Sequence, residues 1–170
     1  MFPHPIWTYA VNLSPFQLKD PELFNKIRQT LHSIGLHSSL LELEITENQD
    51  IEEIARSVPI FNKLRDLGVS ISLDDFGTGY SSFQYLQVLP INTLKIDRSF
   101  VNDITSNLKN AAIANSIIEL AKTLHLNVIA EGVETQEQSD YLKACGCNQA
   151  QGFLFAPPML HINKASCCFS

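Results

Sequence analysis

The chain has 170 residues, of which 45% are hydrophobic, which suffices for one domain with a proper core and excludes an intrinsically disordered chain. Its net charge of −6 comes without a basic stripe, which argues against binding to a nucleic acid polymer. No apolar run approaches the roughly 18 residues of a membrane-spanning helix, and residues 1–5 lack the features of a signal peptide, so the sequence predicts a soluble intracellular protein.

Strand and helix patterns alternate along the first part of the chain. A strand is predicted over residues 9–14. A helix follows, with Asp20 as the expected N-cap, Pro at the first helical position and Gly35 as the stop. Alternating polar and apolar residues then predict a second strand over 41–46.

The middle of the chain repeats this pattern. A helix is expected to start at Asp50 and to end near residue 68, with Pro59 kinking or dividing it. The third strand is predicted over 69–74, and a short helix over 81–89 stops before Pro90.

The last part of the chain contains three more strands and two more helices. They are predicted as strand 93–97, helix 107–124, strand 127–131, a helix opened by a capping box at 135–138 and stopped at Gly146, and strand 148–155. Regular alternation of strands and helices implies parallel strands with right-handed crossovers.

Polar residues recur at the ends of these strands, as they do at the mouth of a parallel α/β barrel. The residues are Asn12, Glu44, Asp74, Asp75, Lys95, Asp97, Glu131 and Gln151, of which Asp97 is expected to pair with Lys95 or a neighbour in a structural role. On the second, third and fourth strands the polar residues alternate with an apolar set, which favours a barrel with a polar upper interior over an open sheet with two apolar faces. The predicted fold is therefore an α/β, TIM-like (β/α)₈-type barrel, incomplete because only six strands are found.

The side chains at this mouth offer oxygen ligands, which hard cations such as Mg²⁺ or Mn²⁺ prefer. The adjacent pair Asp74 and Asp75 can serve two ions if one carboxylate bridges them. Two ions of this kind can clamp the attacking and leaving oxygens of a phosphodiester displacement. A lysine such as Lys95 can stabilise phosphate charge or hold the nucleophilic water. The alternative is that these polar residues are solvated ends of strands and bind no metal.

Six short stretches carry a resemblance to a known family, and they run in family order over residues 8–156. They are Val11-Asn12-Leu13-Ser14, Glu44-Ile45-Thr46-Glu47, Asp74-Asp75-Phe76-Gly77-Thr78-Gly79, Leu94-Lys95-Ile96-Asp97, Ala130-Glu131-Gly132-Val133-Glu134 and Gln151-Gly152-Phe153. On these stretches the chain resembles the EAL family of cyclic-di-GMP phosphodiesterases. One stretch alone is weakly specific, whereas six in order are very specific.

The resemblance implies a barrel that binds two Mg²⁺ or Mn²⁺ ions and opens cyclic-di-GMP to linear pGpG. By this resemblance Asn12, Glu44 and Asp74 bind the first ion, and Asp75 binds the second, with Asp74 bridging the two. Lys95 is implied to activate or orient the water, Glu131 to be a metal-centre glutamate and candidate general base, and Gln151 to lie near water and substrate. Glu47 is implied to anchor the loop 75–82. The resemblance also implies a homodimer formed through the loop and helix after Asp75. It further implies a cytoplasmic bacterial protein, whose full-length parent could be tethered to a membrane.

The Glu-Ala-Leu signature that names the family does not occur in this sequence. We expect an N-terminal truncation that removes this signature together with the first barrel strands. Residues 1–156 are then a partial EAL domain, and residues 157–170 are an atypical tail. The alternatives are a degenerate EAL module that binds a ligand or a protein without hydrolysis, and a fragment without function. A metal-dependent enolase-like barrel is contradicted by the ordered motifs.

Overall fold

A computed structural model describes residues 8–47, 51–79 and 82–156. These residues form two compact units. The N-terminal unit comprises residues 8–74 and 78–92 of the described chain, and the C-terminal unit comprises 75–77 and 93–156. The helix start expected at Asp50, the first residue of the helix expected at 81–89 and the predicted tail at 157–170 lie outside the described residues.

The N-terminal unit contains three parallel strands in the order β1-β2-β3. They are β1 (Tyr9–Asn12), β2 (Leu41–Thr46) and β3 (Ser70–Phe76), and the last two residues of β3 belong to the C-terminal unit. In the register of these strands, Asn12 lies beside Glu44, and Thr46 lies beside Asp74. The polar residues predicted on the first three strands therefore meet at one edge of the sheet.

Four helices and a short turn of 3₁₀ helix accompany these strands. They are α1 (Pro15–Leu18), α2 (Leu23–Ile34), the 3₁₀ turn Ser38–Leu40, α3 (Ile51–Asp66) and α4 (Ser82–Val88). The sequence pattern did not predict α1, which begins with a capping box between Ser14 and Gln17. The division of α3 at Pro59 is wrong, because the helix is continuous through this residue. Ile54 and Phe61, on either side of the proline, are fully buried and hold both halves of α3 against the core.

The predicted role of Asp20 as N-cap of α2 is also wrong. The helix begins at Leu23, with Glu22 at the N-cap position and no side-chain cap. The carboxylate of Asp20 instead accepts a hydrogen bond from the N–H of Glu22 at 2.9 Å and pairs with Lys26 at 2.6 Å. The hydrogen bond from Lys26 holds the pKa of Asp20 below its usual value. Asp20 thus stabilises the turn that precedes the helix.

Strand β2 is buried along nearly its whole length, including two carboxylates. Ile45 has no exposed surface, and Glu42 and Glu44 on the opposite face are each only 7% exposed. Strand β1, in contrast, is exposed at all four residues. The polar face of β2 therefore lies inside the protein, as the alternation of its residues predicts.

The C-terminal unit contains three further parallel strands in the order β4-β5-β6, with two helices after β4 and one after β5. The elements are β4 (Thr93–Ile96), α5 (Arg98–Val101), α6 (Leu108–Thr123), β5 (Asn127–Ala130), α7 (Gln136–Ala144) and β6 (Gln149–Ala150). The capping box predicted at Thr135 and Gln138 is confirmed. Across the stretches of chain that are described, no helix is both long and apolar enough to traverse a bilayer.

Two predictions for this unit are corrected. The sixth strand was expected over 148–155 but ends at Ala150, because the chain then turns and the N–H of Phe155 bonds back to the carbonyl of Gly152 at 3.1 Å. The sequence pattern also missed α5, which follows β4 directly. Its N-cap is Asp97, whose carboxylate accepts a hydrogen bond from the N–H of Ser99 at 3.0 Å.

The buried thiol of Cys147 makes the stability of the chain sensitive to alkaline pH. Burial raises the pKa of this thiol from 9.0 to about 11, and the side chain is only 4% exposed. Between these values the unfolded chain loses the proton while the folded chain keeps it. The free energy of unfolding is therefore expected to fall by about 2–3 kcal/mol as the pH rises from 9 to 11. Urea titrations across this range measure the fall.

A Cys147→Ala variant is the control for this prediction. It lacks the thiol and retains every other alkaline group, so its curve of stability against pH should be flatter by the same amount. Parallel curves for the two chains between pH 9 and 11 would show that the thiol does not contribute.

Candidate metal centre and active site

Two carboxylates of the C-terminal unit come together at the ends of their strands. Asp75 lies near the end of β3, and Glu131 directly follows β5. Both are half-buried, and each offers an oxygen atom within 4.8 Å of the other. Carboxylates this close repel one another unless a cation or a proton lies between them. Asp74, which precedes Asp75 on β3, belongs to the N-terminal unit and lies beside Thr46 of β2 in the register of the sheet.

The backbone at Asp75 adopts a left-handed conformation, with φ of 55°. Aspartate tolerates this region better than most residues do. The turn continues through Gly77, with φ of 96°, where an added Cβ would lie 3.1 Å from the ring of Phe100 and 3.4 Å from Ile117. The turn after β3 therefore packs closely on α5 and α6, which determines where the carboxylate of Asp75 is held.

Lys95 forms an ion pair with Glu131 within the same unit. The Nζ atom of Lys95 lies 2.5 Å from Oε1 of Glu131, and the two side chains are 4% and 21% exposed. Lys95 lies on β4, and the backbone N–H of Glu131 donates to the carbonyl of Ile96 on that strand at 3.1 Å. A lysine buried to this degree needs carboxylate partners. The sequence placed both residues in the site, and the structure brings them into direct contact.

Asp97 is a further carboxylate of this region, which the sequence pattern places at a strand end with a structural pairing role and not as a metal ligand. Its carboxylate caps α5 and interacts with the carboxyl group of Asp75. Burial acts to raise the pKa of Asp97, but hydrogen bonds from Ser99, together with those to Asp75 and Arg98, outweigh burial and hold the pKa below its usual value. The alternation of the strand predicts Asp97 on the same face as Lys95, whereas its contact with Asp75 carries no signal in the sequence.

Gln151 lies directly after β6 and is held by its backbone. Its N–H donates to the carbonyl of Ala130 at 2.8 Å, and its own carbonyl accepts from Val133 at 3.0 Å. The residue is exposed. The loops that carry Glu131 and Gln151 are therefore linked by backbone hydrogen bonds, and the predicted role of the Gln151 side chain stays a prediction.

The remaining predicted site residues lie in the N-terminal unit. Asn12 is exposed at the end of β1, beside the buried Glu44 in the register of the sheet. Glu47 is only 3% exposed, and its Oε2 atom accepts a hydrogen bond from the N–H of Gly79 at 3.1 Å. Glu47 thus contacts the loop that it is predicted to anchor. The metal-binding roles of Asn12 and Glu44 stay predictions.

The donor set at Asp75 and Glu131 suits a hard divalent cation. Its donors are carboxylate oxygens, which Mg²⁺, Mn²⁺ and Ca²⁺ prefer over the nitrogen and sulfur ligands typical of zinc. Half-burial strengthens the attraction of the carboxylates for an ion, and the exposed part of the site allows the ion to keep some of its water. A cation at this position would offset the repulsion between the two carboxylates.

Parallel strand–helix units with an acidic, metal-competent cluster at the strand ends define an α/β barrel-type domain with a polar active-site mouth. A family model described as the EAL domain matches residues 2–158. The chain belongs to the EAL domain family. The predicted fold class is confirmed as an incomplete form of the barrel of this family, with six parallel strands.

Individual relatives agree with this assignment. The cyclic di-GMP phosphodiesterase NbdA of Pseudomonas aeruginosa is 45% identical over 150 residues, which are 88% of this chain and 19% of NbdA. The bifunctional diguanylate cyclase/cyclic di-GMP phosphodiesterase MucR of the same species is 45% identical over 156 residues, which are 92% of this chain and 23% of MucR. The chain thus spans about a fifth of the length of these relatives.

Comparison with solved structures supports the same family assignment. The PaMucR phosphodiesterase in complex with c-di-GMP superposes with a TM-score of 0.82 at 45% identity, over 90% of this chain and 62% of that chain. The manganese and c-di-GMP complex of BlrP1 from Klebsiella pneumoniae superposes with a TM-score of 0.80 at 31% identity, over 89% of this chain and 39% of that chain.

Proposed function

We propose that the chain is the catalytic part of a cyclic-di-GMP phosphodiesterase, which hydrolyses the cyclic dinucleotide to linear pGpG in bacterial signalling. The observation that carries the proposal is the cluster of Asp75, Glu131 and Lys95, in which two carboxylates and a buried ammonium group meet at the strand ends. The family assignment and the c-di-GMP bound to PaMucR support this substrate.

The proposed cofactors are two divalent ions, Mg²⁺ or Mn²⁺. Asn12, Glu44 and Asp74 would hold one ion and Asp75 the other, with Asp74 shared, as the family resemblance implies. Bound ions of this kind polarise a phosphodiester and lower the pKa of water. The carboxylate donors of this chain and the manganese in the BlrP1 complex support the assignment.

The chain's own side chains have distinct proposed roles. Glu131 accepts a proton from the attacking water. Lys95 lies 2.5 Å from Glu131, where its charge holds that carboxylate in place and offsets the negative charge of the phosphodiester. Gln151 orients water and substrate by hydrogen bonding, and Glu47 holds the loop after Asp75 through Gly79.

The proposal includes a homodimer formed through the loop and helix after Asp75. The helix in this segment, α4, carries Phe83, which is 68% exposed. A large exposed aromatic side chain on this helix supports its use as a contact surface.

The test is hydrolysis of cyclic-di-GMP by the purified chain in Mn²⁺ and in Mg²⁺, with pGpG measured by chromatography. A Glu131→Gln variant, which keeps the shape of the side chain and removes its basicity, is expected to be at least about 100-fold slower. Activity that persists in this variant would belong to a contaminant. A folded chain that binds cyclic-di-GMP without cleaving it would refute the proposal in favour of a degenerate binding module.

A further inference from the structure

The loop after β5 and the turn after β6 meet backbone to backbone at Gly152. A Cβ atom at this position would lie 2.2 Å from the carbonyl oxygen of Val133 and 2.4 Å from its nitrogen. Two hydrogen bonds surround the contact, from Val133 N–H to Gln151 O and from Leu154 N–H to Val133 O, both 3.0 Å long. Backbone atoms cannot rotate away as a side chain can, so only glycine fits at residue 152.

A second close approach confines the same loop from the other side. Gly132 has a φ of 69°, and a Cβ atom there would lie 2.6 Å from Cβ of Arg98, the first residue of α5. The loop is thus enclosed between the start of α5, which follows β4, and the turn that follows β6. This pair of contacts at Gly132 and Gly152 is termed the glycine clamp.

The residue next to the clamp is Glu131. Its position is further constrained by its backbone hydrogen bond to Ile96, and the neighbouring Ala130 carbonyl accepts from Gln151. Its carboxylate lies 2.5 Å from Nζ of Lys95 and within 4.8 Å of a carboxylate oxygen of Asp75. Any shift of the clamped loop therefore moves Glu131 relative to both of these groups.

We propose that Gly132 and Gly152 are positioning residues of the active site: the glycine clamp holds the Glu131 carboxylate at its distance from Lys95 and Asp75. The catalytic consequence of this inference rests on the proposed phosphodiesterase function, whereas its geometric content does not. An alanine at residue 152 must displace the loop by about 1 Å, and a misplacement of that size costs about 100-fold in rate.

The test compares Gly152→Ala with Gly146→Ala, a matched control in the same unit. Gly146 follows α7 and has a φ of 85°, so alanine there is strained. The added Cβ would approach only the Nζ and Cε atoms of Lys122, at 2.7 and 2.8 Å, which are the far end of a flexible side chain. The control is expected to be less stable than the parent chain while the active-site geometry is retained.

Three readouts separate positioning from loss of stability. The ¹H–¹⁵N signal of the Lys95 ammonium group reports its contact with Glu131 without metal or substrate. Electron paramagnetic resonance of free Mn²⁺ gives metal affinity, and kinetics with cyclic-di-GMP give kcat and KM separately. For Gly152→Ala we expect a shifted Lys95 signal, Mn²⁺ affinity about 10-fold lower and kcat about 100-fold lower with a smaller change in KM. For Gly146→Ala all three should match the parent chain.

A folded Gly152→Ala chain with an unmoved Lys95 signal and unchanged Mn²⁺ affinity would overturn the proposal. If Gly152→Ala does not fold, Arg98→Gly takes its place: it removes the Cβ that confines Gly132 at an exposed helix start, and an unmoved Lys95 signal there would count equally against the clamp. A parent chain that does not hydrolyse cyclic-di-GMP would refute the proposed function, and the Lys95 signal would still decide on the clamp.

Discussion

An Asp75→Asn chain is expected to hydrolyse cyclic-di-GMP at least about 1,000-fold more slowly than the parent chain and to bind Mn²⁺ at least about 100-fold more weakly. The substitution removes one negative charge from the proposed metal centre while it keeps the shape of the side chain. Asparagine also tolerates the left-handed backbone that Asp75 adopts, with φ of 55°, so the turn after β3 is retained.

The stability of this variant should change in the opposite direction to its activity. Without a metal, the carboxylates of Asp75 and Glu131 lie within 4.8 Å of each other, and the loss of one charge relieves a repulsion of about 1 kcal/mol. The metal-free Asp75→Asn chain is therefore expected to unfold at an equal or higher urea concentration. Added Mn²⁺ should stabilise the parent chain and leave the variant almost unchanged.

Two further variants make the comparison specific. Asp103→Asn removes an exposed carboxylate of the same unit, and its activity and metal affinity should equal those of the parent chain. Asp75→Ala also removes the charge, but alanine in the left-handed region costs about 1–2 kcal/mol, so this chain should be the less stable of the two Asp75 variants. Mn²⁺ affinity that survives in Asp75→Asn would show that Asp75 is not a ligand.

The sequence could predict which residues meet at the site because parallel strands bring their carboxyl ends to one edge of a sheet. Lys95 is the penultimate residue of β4 and Glu131 directly follows β5, so they lie at the same ends of neighbouring parallel strands although they are 36 residues apart in the sequence. The register pairs Lys95 with Ile129, two residues before Glu131, which places Lys95 and Glu131 on one face of the sheet. Their contact at 2.5 Å follows from that placement and from the burial of Lys95.

Other parts of the site carry no periodic signal. The contact between Asp97 and Asp75 and the close approach of Gly152 to Val133 depend on how loops distant in sequence pack together. Local propensity also misjudged short elements: α5 has only four residues, too few for a helical period to be visible. The pattern at Asp20 predicts an N-cap, but the helix begins at Leu23 with Glu22 at the N-cap position, because the carboxylate of Asp20 is bonded to the N–H of Glu22 and to Lys26 in the preceding turn.

Glu131→Ala is expected to lower the free energy of unfolding by about 3 kcal/mol, whereas Lys95→Met should lower it by less than about 1.5 kcal/mol. Both variants should lose hydrolysis. The two losses of stability differ because the charge that remains after each substitution is exposed to a different degree. Removal of Glu131 takes a counter-ion at 2.5 Å from an ammonium group that is 4% exposed, while removal of the Lys95 charge leaves a carboxylate that is 21% exposed and can be hydrated in place.

Urea unfolding of the parent chain, the two single variants and the double variant closes a thermodynamic cycle for this pair. The double variant should be more stable than the sum of the single losses predicts, by about 1–3 kcal/mol, because each substitution removes the charge that the other one leaves without its 2.5 Å contact. Equal losses in the two single variants with no coupling would mean that the pair is not held together in solution. The measurements also separate stability from catalysis. Lys95→Met should remain folded at the temperature of the assay, so its loss of cyclic-di-GMP hydrolysis cannot be attributed to unfolding.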